Sequence, residues 1–302
     1  MIVLAAKELN LLPIAVEKDY WVTHILRELS SSGFKDEFIF KGGTCLSKAY
    51  KVIYRFSEDI DLLFVDKDPD KPLSKNAKKR RLQDLNAFIL NTKLYSLNED
   101  SSIIKKLNAK LYYNYPKGIQ EEHPGSLNQN IILEPGYRGG NWPVIKKSIN
   151  SLVAEIIINK TGEYVAEDLS PFDIKVLALE RIFLEKLVAV YSSFNTGQLN
   201  KKTRHYYDLY MLMNTDEIKK LIINKELLND ILLDIAAISK EYFSTDEGLT
   251  IEMIKNCDAF SYEYSGLDDI TSGYIDDKDL YYSKVPDFKD MLVKLASFLK
   301  EI

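Results

Sequence analysis

The first half of the chain alternates short apolar runs with amphipathic stretches. Residues 13–26 carry apolar side chains at helical spacing, and Pro13 suits the first position of a helix. Residues 38–40 form an apolar run that a Gly-Gly pair ends, residues 44–54 again have helical spacing, and residues 60–65 form a continuous apolar run. This order predicts a strand, a glycine turn, a helix and a second strand.

The pattern continues with further strands and then turns helical. Ser74 is placed to cap a long helix, which we expect to run towards residue 97. Residues 107–115 and 130–134 are rich in Tyr, Ile and Leu and predict two more strands, so that a mixed sheet forms. An apolar run at 172–179 leads into segments with helical spacing at 180–191, 206–213, 218–223, 227–238 and 288–299, with a Tyr- and Asp-rich loop region at 260–282.

These elements predict an α+β (α/β) protein. We expect a mixed-sheet domain flanked by helices over residues 1–178 and a mainly helical bundle over residues 179–302. With 302 residues, 46% of them hydrophobic, and few Gly and Pro, the chain is expected to bury a sizeable core. We find neither a signal-peptide pattern nor an apolar run long enough to span a bilayer, which favours a cytoplasmic protein without a membrane partner.

Composition and charge exclude some classes of function. The two cysteines, Cys45 and Cys257, lie too far apart to suggest a disulfide framework or a Cys-based zinc site. A net charge of −5 argues against a surface that binds nucleic acid everywhere. Local patches could still bind a phosphate backbone, or they could be solvated faces; the basic residues concerned are Lys71, Lys75, Lys78, Lys79, Arg80 and Arg81, and Lys201, Lys202 and Arg204.

Candidate chemistry begins with Asp59 and Asp61, which lie two residues apart at the start of a predicted strand. The pleat of a strand would direct both carboxylates to one face. Two like charges so close favour a divalent cation between them, and oxygen ligands suit Mg²⁺ or Mn²⁺. Taken alone, the pair also fits a solvated strand end.

The segment KGGTCLSK, upstream of the aspartates, adds a second signal. Gly42 and Gly43 would let backbone N–H groups approach a phosphate closely, and the start of a helix adds partial positive charge. Thr44 and Ser47 supply hydroxyl donors there, while Lys48 and Arg55 supply positive charge; a tight turn with a capped helix would explain the glycines equally well. Cys45 lies inside the turn without a nearby histidine, which favours a small packed residue over a nucleophile.

The string FKGGTCLSKAYKVIYRFSEDIDLLF resembles the nucleotidyltransferase toxins of the AbiEii/AbiGii type, relatives of the MenT toxins within the DNA polymerase β nucleotidyltransferase superfamily. The segments EKDYWVTHIL, LERIFLEKLVAV and RHYYDLYML resemble segments of that family in the same order. The likeness extends from about residue 17 to residue 212. It implies a nucleotidyltransferase that uses an NTP and releases pyrophosphate.

The resemblance also implies roles for individual residues. Asp59 and Asp61 would bind metal, and a third carboxylate from a neighbouring strand would join them, for which Glu134 is the best match. Lys186 and Asp208 match a later lysine and aspartate of the family and would complete the catalytic set. By themselves, Lys186 also fits a solvated helix lysine and Asp208 a carboxylate on a helix surface.

Several functions remain open at this point. The resemblance implies transfer to the 3′ hydroxyl of an RNA such as tRNA, by the toxin of a toxin–antitoxin or abortive-infection system, with an antitoxin as a possible partner. The same chemistry could instead modify a protein or a small-molecule hydroxyl. A catalytically silent nucleotide-binding module is the third hypothesis, and the presence of every expected carboxylate and lysine disfavours it.

Overall fold

The computed structural model describes residues 1–57, 59–68, 70–119, 127–243, 248–277, 280–282 and 285–302. Within these ranges the chain has both helices and strands. The helices are α1 (Ile2–Leu9), α2 (Pro13–Ser30), α3 (Gly42–Lys48), α4 (Lys75–Asn91), α5 (Leu152–Thr161), α6 (Leu179–Asn195), α7 (Thr203–Leu212), α8 (Asp216–Ile223), α9 (Lys225–Phe243), α10 (Ile251–Lys255), α11 (Leu267–Asp276) and α12 (Phe288–Leu299). The strands are β1 (Phe38–Lys41), β2 (Asp59–Phe64), β3 (Ser96–Leu97), β4 (Ile103–Ile104), β5 (Ala109–Asn114), β6 (Ile131–Gly136), β7 (Val144–Ile149) and β8 (Phe172–Leu177).

The strands form a mixed sheet in the order β3-β5-β6-β2-β1-β8-β7, with β4 paired to β5. β2 runs parallel to β6 and antiparallel to β1, while β1 runs parallel to β8. β1 and β2, in the middle of the sheet, are short, and their apolar residues are buried. Strands with such apolar residues occupy the centre of a sheet. The predicted α+β (α/β) class with a mixed sheet is confirmed.

The contacts between Cα atoms divide the chain into two compact units. The first consists of Met1–Lys51 and Phe56–Val176, and the second of Val52–Arg55 and Leu177–Ile302. In the first unit, α2 packs on β6 and α3 on β1 and β2, while α1, α2 and α5 share an apolar cluster that includes Ala5 and Val16. In the second unit, α6 is the central helix and contacts α7, α8 and α9. We expect this unit to contribute Lys186 and Asp208 to the active site, and this stays a prediction.

Two predicted helices end earlier than expected. The helix expected over residues 44–54 ends at Lys48, because Lys51 adopts a left-handed conformation with φ 56° that a helix cannot continue through. The helix that begins after Ser74, whose hydroxyl accepts from the Ala77 N–H, ends at Asn91 instead of continuing towards residue 97. Lys93 stops it with φ 58°, and the chain then enters β3.

Other differences concern elements that the pattern did not predict. The apolar run at 172–179 contains β8 and the start of α6, and the region 260–282, expected to be a loop, contains α11. α1, β7 and α5 were not predicted either. β7 carries Lys146 and Lys147 in its middle, so it lacks the apolar alternation that would reveal a strand. No helix of the described residues is long and apolar enough to cross a membrane.

Candidate nucleotide and metal site

Asp59 and Asp61 begin β2 and lie on one face of the sheet. Both are half-buried, whereas Ile60 between them is fully buried, as the two-residue period of a strand requires. Asp61 lies opposite Lys41 in β1 and beside Glu134 in β6. The sheet register therefore places a third carboxylate next to the aspartate pair, on the strand where we expected it.

The glycine turn lies directly against this pair. Gly42 has φ +78°, a conformation that disfavours any residue with a Cβ, and a Cβ built there would lie 1.9 Å from Asp61 Oδ2. Only glycine fits between the end of β1 and this carboxylate. The two signals that the sequence showed separately, the Gly-Gly pair and the Asp-x-Asp pair, thus meet in one place.

Thr44 fixes the start of β2. Its hydroxyl oxygen lies 2.6 Å from the Asp59 carbonyl oxygen and 3.0 Å from that of Ser57, and the side chain is buried. A hydroxyl has a single proton to donate, so this donor is used within the protein. Ser47 likewise donates to the Thr44 carbonyl at 3.1 Å. Both residues were expected to donate to phosphate, but the structure gives their hydroxyl protons backbone partners.

Lys48 was expected to place its charge on the nucleotide, but it binds side chains of α2 instead. Its ammonium donates to Asp19 Oδ1 at 2.5 Å and to Thr23 Oγ1 at 2.7 Å, and the side chain is buried. Asp19 also accepts from the Leu152 N–H at 2.7 Å, at the start of α5. Lys48 therefore holds α3 against α2 through a buried ion pair. It needs this partner because a buried charge without one is costly.

Glu134 forms an ion pair with Lys110 of the adjacent strand β5. Lys110 Nζ lies 2.6 Å from Glu134 Oε1. Burial by itself would lower the pKa of Lys110, but the hydrogen bond to Glu134 and the charges of Glu134 and Asp59 outweigh it and hold the pKa above its usual range. With the side chains in these positions, no group of three or more His, Cys, Asp or Glu residues in the described ranges is arranged to hold a metal ion.

The donor set nevertheless fits a hard divalent cation in type and in position. Asp59, Asp61 and Glu134 offer carboxylate oxygens on one face of two parallel neighbouring strands. Mg²⁺ and Mn²⁺ prefer such oxygen ligands. Cys45 does not belong to this set, because burial, together with the charge of Asp61, raises the pKa of its thiol well above the usual range. This agrees with the interpretation of Cys45 as a small packed residue.

Lys186 and Asp208 form a buried ion cluster with Arg55 in the second unit. Lys186 Nζ lies 2.7 Å from Asp208 Oδ2, and Arg55 binds both carboxylate oxygens, with Nε 2.7 Å from Oδ1 and Nη2 2.6 Å from Oδ2. Asp208 is fully buried and Lys186 is 7% exposed, so neither is the solvated surface residue that each would be by default. Arg55, expected to contact the nucleotide, is likewise engaged by Asp208.

The charges of this cluster offset one another. Burial by itself would raise the pKa of the Asp208 carboxyl, but the adjacent charges of Arg55 and Lys186 and their hydrogen bonds hold it well below its usual range. Burial and the charge of Lys186 lower the pKa of the neighbouring His205, so this imidazole is neutral at pH 7. Asp208 thus holds two cations in place as a carboxylate that is ionised at pH 7.

The basic stretch at the start of α4 divides into structural and exposed residues. Arg81 forms two hydrogen bonds to Glu37 and stacks 3.8 Å from the centroid of the Phe34 ring. Lys78 lies 2.9 Å from Asp66 Oδ2. Two of the six cations that we considered for RNA binding therefore stabilise the fold, whereas Lys71, Lys75 and Arg80 are exposed.

A comparison with known protein families assigns the chain to one of them. The model of the nucleotidyl transferase AbiEii toxin family, described as part of a type IV toxin–antitoxin system, matches residues 24–268. The chain belongs to this family. Membership makes it a nucleotidyltransferase toxin and implies a nucleotide substrate and an antitoxin partner.

The fold of this AbiEii protein also resembles a solved structure. MenT4, a nucleotidyltransferase toxin from Mycobacterium tuberculosis H37Rv, superposes with a TM-score of 0.61 over 100% of this chain and 90% of MenT4, at 16% sequence identity. At that identity the likeness concerns the fold alone. Among curated proteins no significant match is found.

Sequence reasoning missed several residues that support the site of this AbiEii protein. Asp19 was seen only as part of the EKDYWVTHIL segment, yet it anchors Lys48 and the start of α5. Lys41 and Lys110 were not considered, although each lies beside a carboxylate of the candidate metal site. The Lys110 signal is visible only in the register of β5 and β6, because Lys110 and Glu134 are distant in sequence.

Proposed function

We propose that this AbiEii toxin is metal-dependent and transfers a nucleotidyl group from an NTP to the 3′ hydroxyl of an RNA such as tRNA, in the cytoplasm. The observation that carries the proposal is the close approach of Gly42 to Asp61, where a Cβ would lie 1.9 Å from the carboxylate. A bare backbone beside a carboxylate that we propose to hold metal leaves room for a triphosphate to contact both the backbone N–H groups and the metal.

In this proposal the glycine turn and the carboxylates share the substrate. The backbone N–H groups of Gly42 and Gly43 bind phosphate oxygens, and Asp59, Asp61 and Glu134 hold Mg²⁺ or Mn²⁺ beside them. A divalent ion held there would supply Lewis-acid chemistry, which would lower the pKa of an attacking hydroxyl and neutralise charge on pyrophosphate. Thr44 acts as a positioning residue, since its hydroxyl fixes the backbone of Asp59 at 2.6 Å.

Lys186 is proposed to supply a fixed positive charge. Lys186 has three N–H donors, and one of them is directed to Asp208 at 2.7 Å, so its ammonium is held in a defined position. We propose that Lys186 stabilises the negative charge that develops on the phosphates, as preorganised donors do in transition states. Asp208 then is a positioning residue, because its two oxygens are occupied by Arg55 and Lys186.

Local positive charge supports an RNA acceptor. Basic residues near the start of α4 support contact with an RNA backbone. Lys78 and Arg81 form ion pairs, whereas the half-buried Lys79 and the exposed Arg80 have no ion pair among the described residues. The net charge of −5 is equally compatible with a protein or small-molecule acceptor. The experiment below therefore includes both kinds of acceptor.

The test incubates the wild-type protein with each α-labelled NTP, total RNA and total protein, in Mg²⁺ or in EDTA. We expect label in RNA with Mg²⁺ and none with EDTA. Asp59→Asn, Asp61→Asn and Lys186→Met should each reduce transfer by at least about 10²–10³-fold. Asp36→Asn, which changes an exposed aspartate before β1, is the control and should leave transfer unchanged.

The outcomes separate the parts of the proposal. Label in protein instead of RNA would favour the alternative acceptor. Transfer that persists in EDTA, or in a folded Asp61→Asn variant, would contradict the metal site.

A further inference from the structure

Four charged side chains lie in a row across four neighbouring strands. The register pairs Lys41 with Asp61 and Asp61 with Glu134, and Lys110 forms an ion pair with Glu134 from the next strand. The order of charges is positive, negative, negative and positive. Two carboxylates of the proposed metal site are therefore neighbours, and each has a lysine on its outer side.

The two central carboxylates repel each other unless a cation lies close to them. Adjacent strands lie about 4.7–4.9 Å apart, so like charges at paired positions of β2 and β6 repel each other and destabilise the sheet. Lys110 supplies a compensating charge at 2.6 Å from Glu134. A divalent metal ion would supply the same compensation and would need the same carboxylate.

The ion pair is placed where it can be exchanged. The side chains of Lys110 and Glu134 are 41% and 32% exposed, in contrast to the buried pair of Lys48 and Asp19, at 4% and 14%. Lys110 has a flexible stem, so its ammonium can move into solvent without repacking the sheet.

We infer that Lys110 is a built-in counter-ion that holds Glu134 while no divalent cation is bound, and that the metal must displace it before Glu134 becomes a ligand. The inference rests on the proposed metal-dependent function. It makes Lys110 a residue that sets the metal affinity of the site, since every binding event includes the loss of this ion pair. Lys110 opposes metal binding instead of assisting it.

The expected change in metal affinity follows from the exposure of the Lys110–Glu134 ion pair. Partly exposed ion pairs contribute little, so removal of Lys110 should tighten metal binding by about two- to fivefold, which corresponds to about 0.4–1 kcal/mol. The direction of this change distinguishes a lysine that competes with the metal from one that assists it. A lysine that merely oriented Glu134 for the metal would, when removed, weaken binding.

The experiment measures free Mn²⁺ by electron paramagnetic resonance during titration of the full chain, with and without a non-hydrolysable NTP analogue. Lys110→Met is compared with Lys175→Met, which removes the same charge from a strand lysine of the same sheet that pairs with Asp36 at 2.9 Å. Both variants are also made in a Glu134→Gln background. Circular dichroism spectra and melting curves check that each variant is folded.

We expect Lys110→Met to bind Mn²⁺ about two- to fivefold more tightly than Lys175→Met, and this difference to vanish in the Glu134→Gln background. Unchanged or weaker Mn²⁺ binding by Lys110→Met, or a gain that persists without Glu134, would overturn the inference while leaving the proposed function intact. Failure of the wild type to bind Mn²⁺ in either condition, or full binding by Asp61→Asn, would overturn the metal site and the inference with it.

Discussion

Replacement of Gly42 by alanine tests the junction between the glycine turn and the aspartate pair. Gly42 has φ +78°, and a Cβ there would lie 1.9 Å from Asp61 Oδ2, 2.7 Å from Asp61 Cγ and 3.0 Å from its Cβ. Non-bonded heavy atoms pack at about 3.5–4.0 Å, so the carboxylate of Asp61 or the turn has to move by roughly 1 Å or more. The substitution therefore changes the backbone strain and the position of a proposed metal ligand together.

Gly162→Ala separates these two effects. Gly162 ends α5 with φ +77°, nearly the same value, but a Cβ there meets no atom within 4 Å. A left-handed alanine costs about 1–2 kcal/mol, so we expect Gly162→Ala to lower the free energy of unfolding by that amount without an effect on transfer. Gly42→Ala should cost more in stability, because the clash with Asp61 adds to the same strain.

The assay is pyrophosphate release from NTP with Mg²⁺ and total RNA, at a temperature where chemical denaturation shows both variants to be folded. A misplacement of a reacting group by about 1 Å commonly costs about 10²-fold in rate, and we expect Gly42→Ala to lose at least that much relative to Gly162→Ala. A folded Gly42→Ala variant whose rate lies within about threefold of the control would refute the proposed role of this junction, since rate differences that small need under 1 kcal/mol.

Two further predictions concern a buried ion cluster and the basic residues of α4. Asp208→Asn should lower the free energy of unfolding by about 3–5 kcal/mol at pH 7, because it leaves two buried cations without a carboxylate. The pKa of Asp208 is lowered in the folded protein, so its contribution to stability is complete above the unfolded pKa of about 3.9 and is lost as the pH falls below that value. Chemical denaturation at pH 3 should therefore show a smaller difference in unfolding free energy between wild type and variant than at pH 7. An equal difference at both pH values would contradict this. Reversal of Lys79 and Arg80 to Glu should reduce the slope of log K against log salt for RNA binding by about 1.5. Arg81→Glu, the control, should mainly lower the melting temperature. An unchanged slope in the double variant would remove Lys79 and Arg80 from the acceptor surface.

The segment EKDYWVTHIL shows how tertiary structure changes the meaning of a motif. In the sequence it was only a marker of resemblance, but in the structure its polar residues connect α2 to distant parts of the first unit. Glu17 accepts from the Gly118 N–H at 2.6 Å, Lys18 donates to the Asn128 carbonyl at 3.0 Å, and Asp19 binds Lys48. The motif therefore organises the fold around the candidate site.

The sequence alone determined the features that depend on local spacing. The two-residue period of a strand decided that Asp59 and Asp61 share a face, and the Gly-Gly pair decided where β1 ends. The apolar pattern was sufficient for α2, β2, α12 and the class of the fold, because each of these elements buries a regular face. Elements without such a face, such as β7 with its central lysines, were missed.

Only the tertiary structure decided which charged residues pair with one another. A lysine carries the same signal in the sequence whether it binds phosphate, as expected of Lys48, or a buried aspartate, as found. The pairing of Lys110 with Glu134 and of Arg55 with Asp208 joins residues far apart in the chain. The energy of a charge depends on its distance to other charges and on its burial, and both are set by the packing of strands and helices that local spacing does not encode.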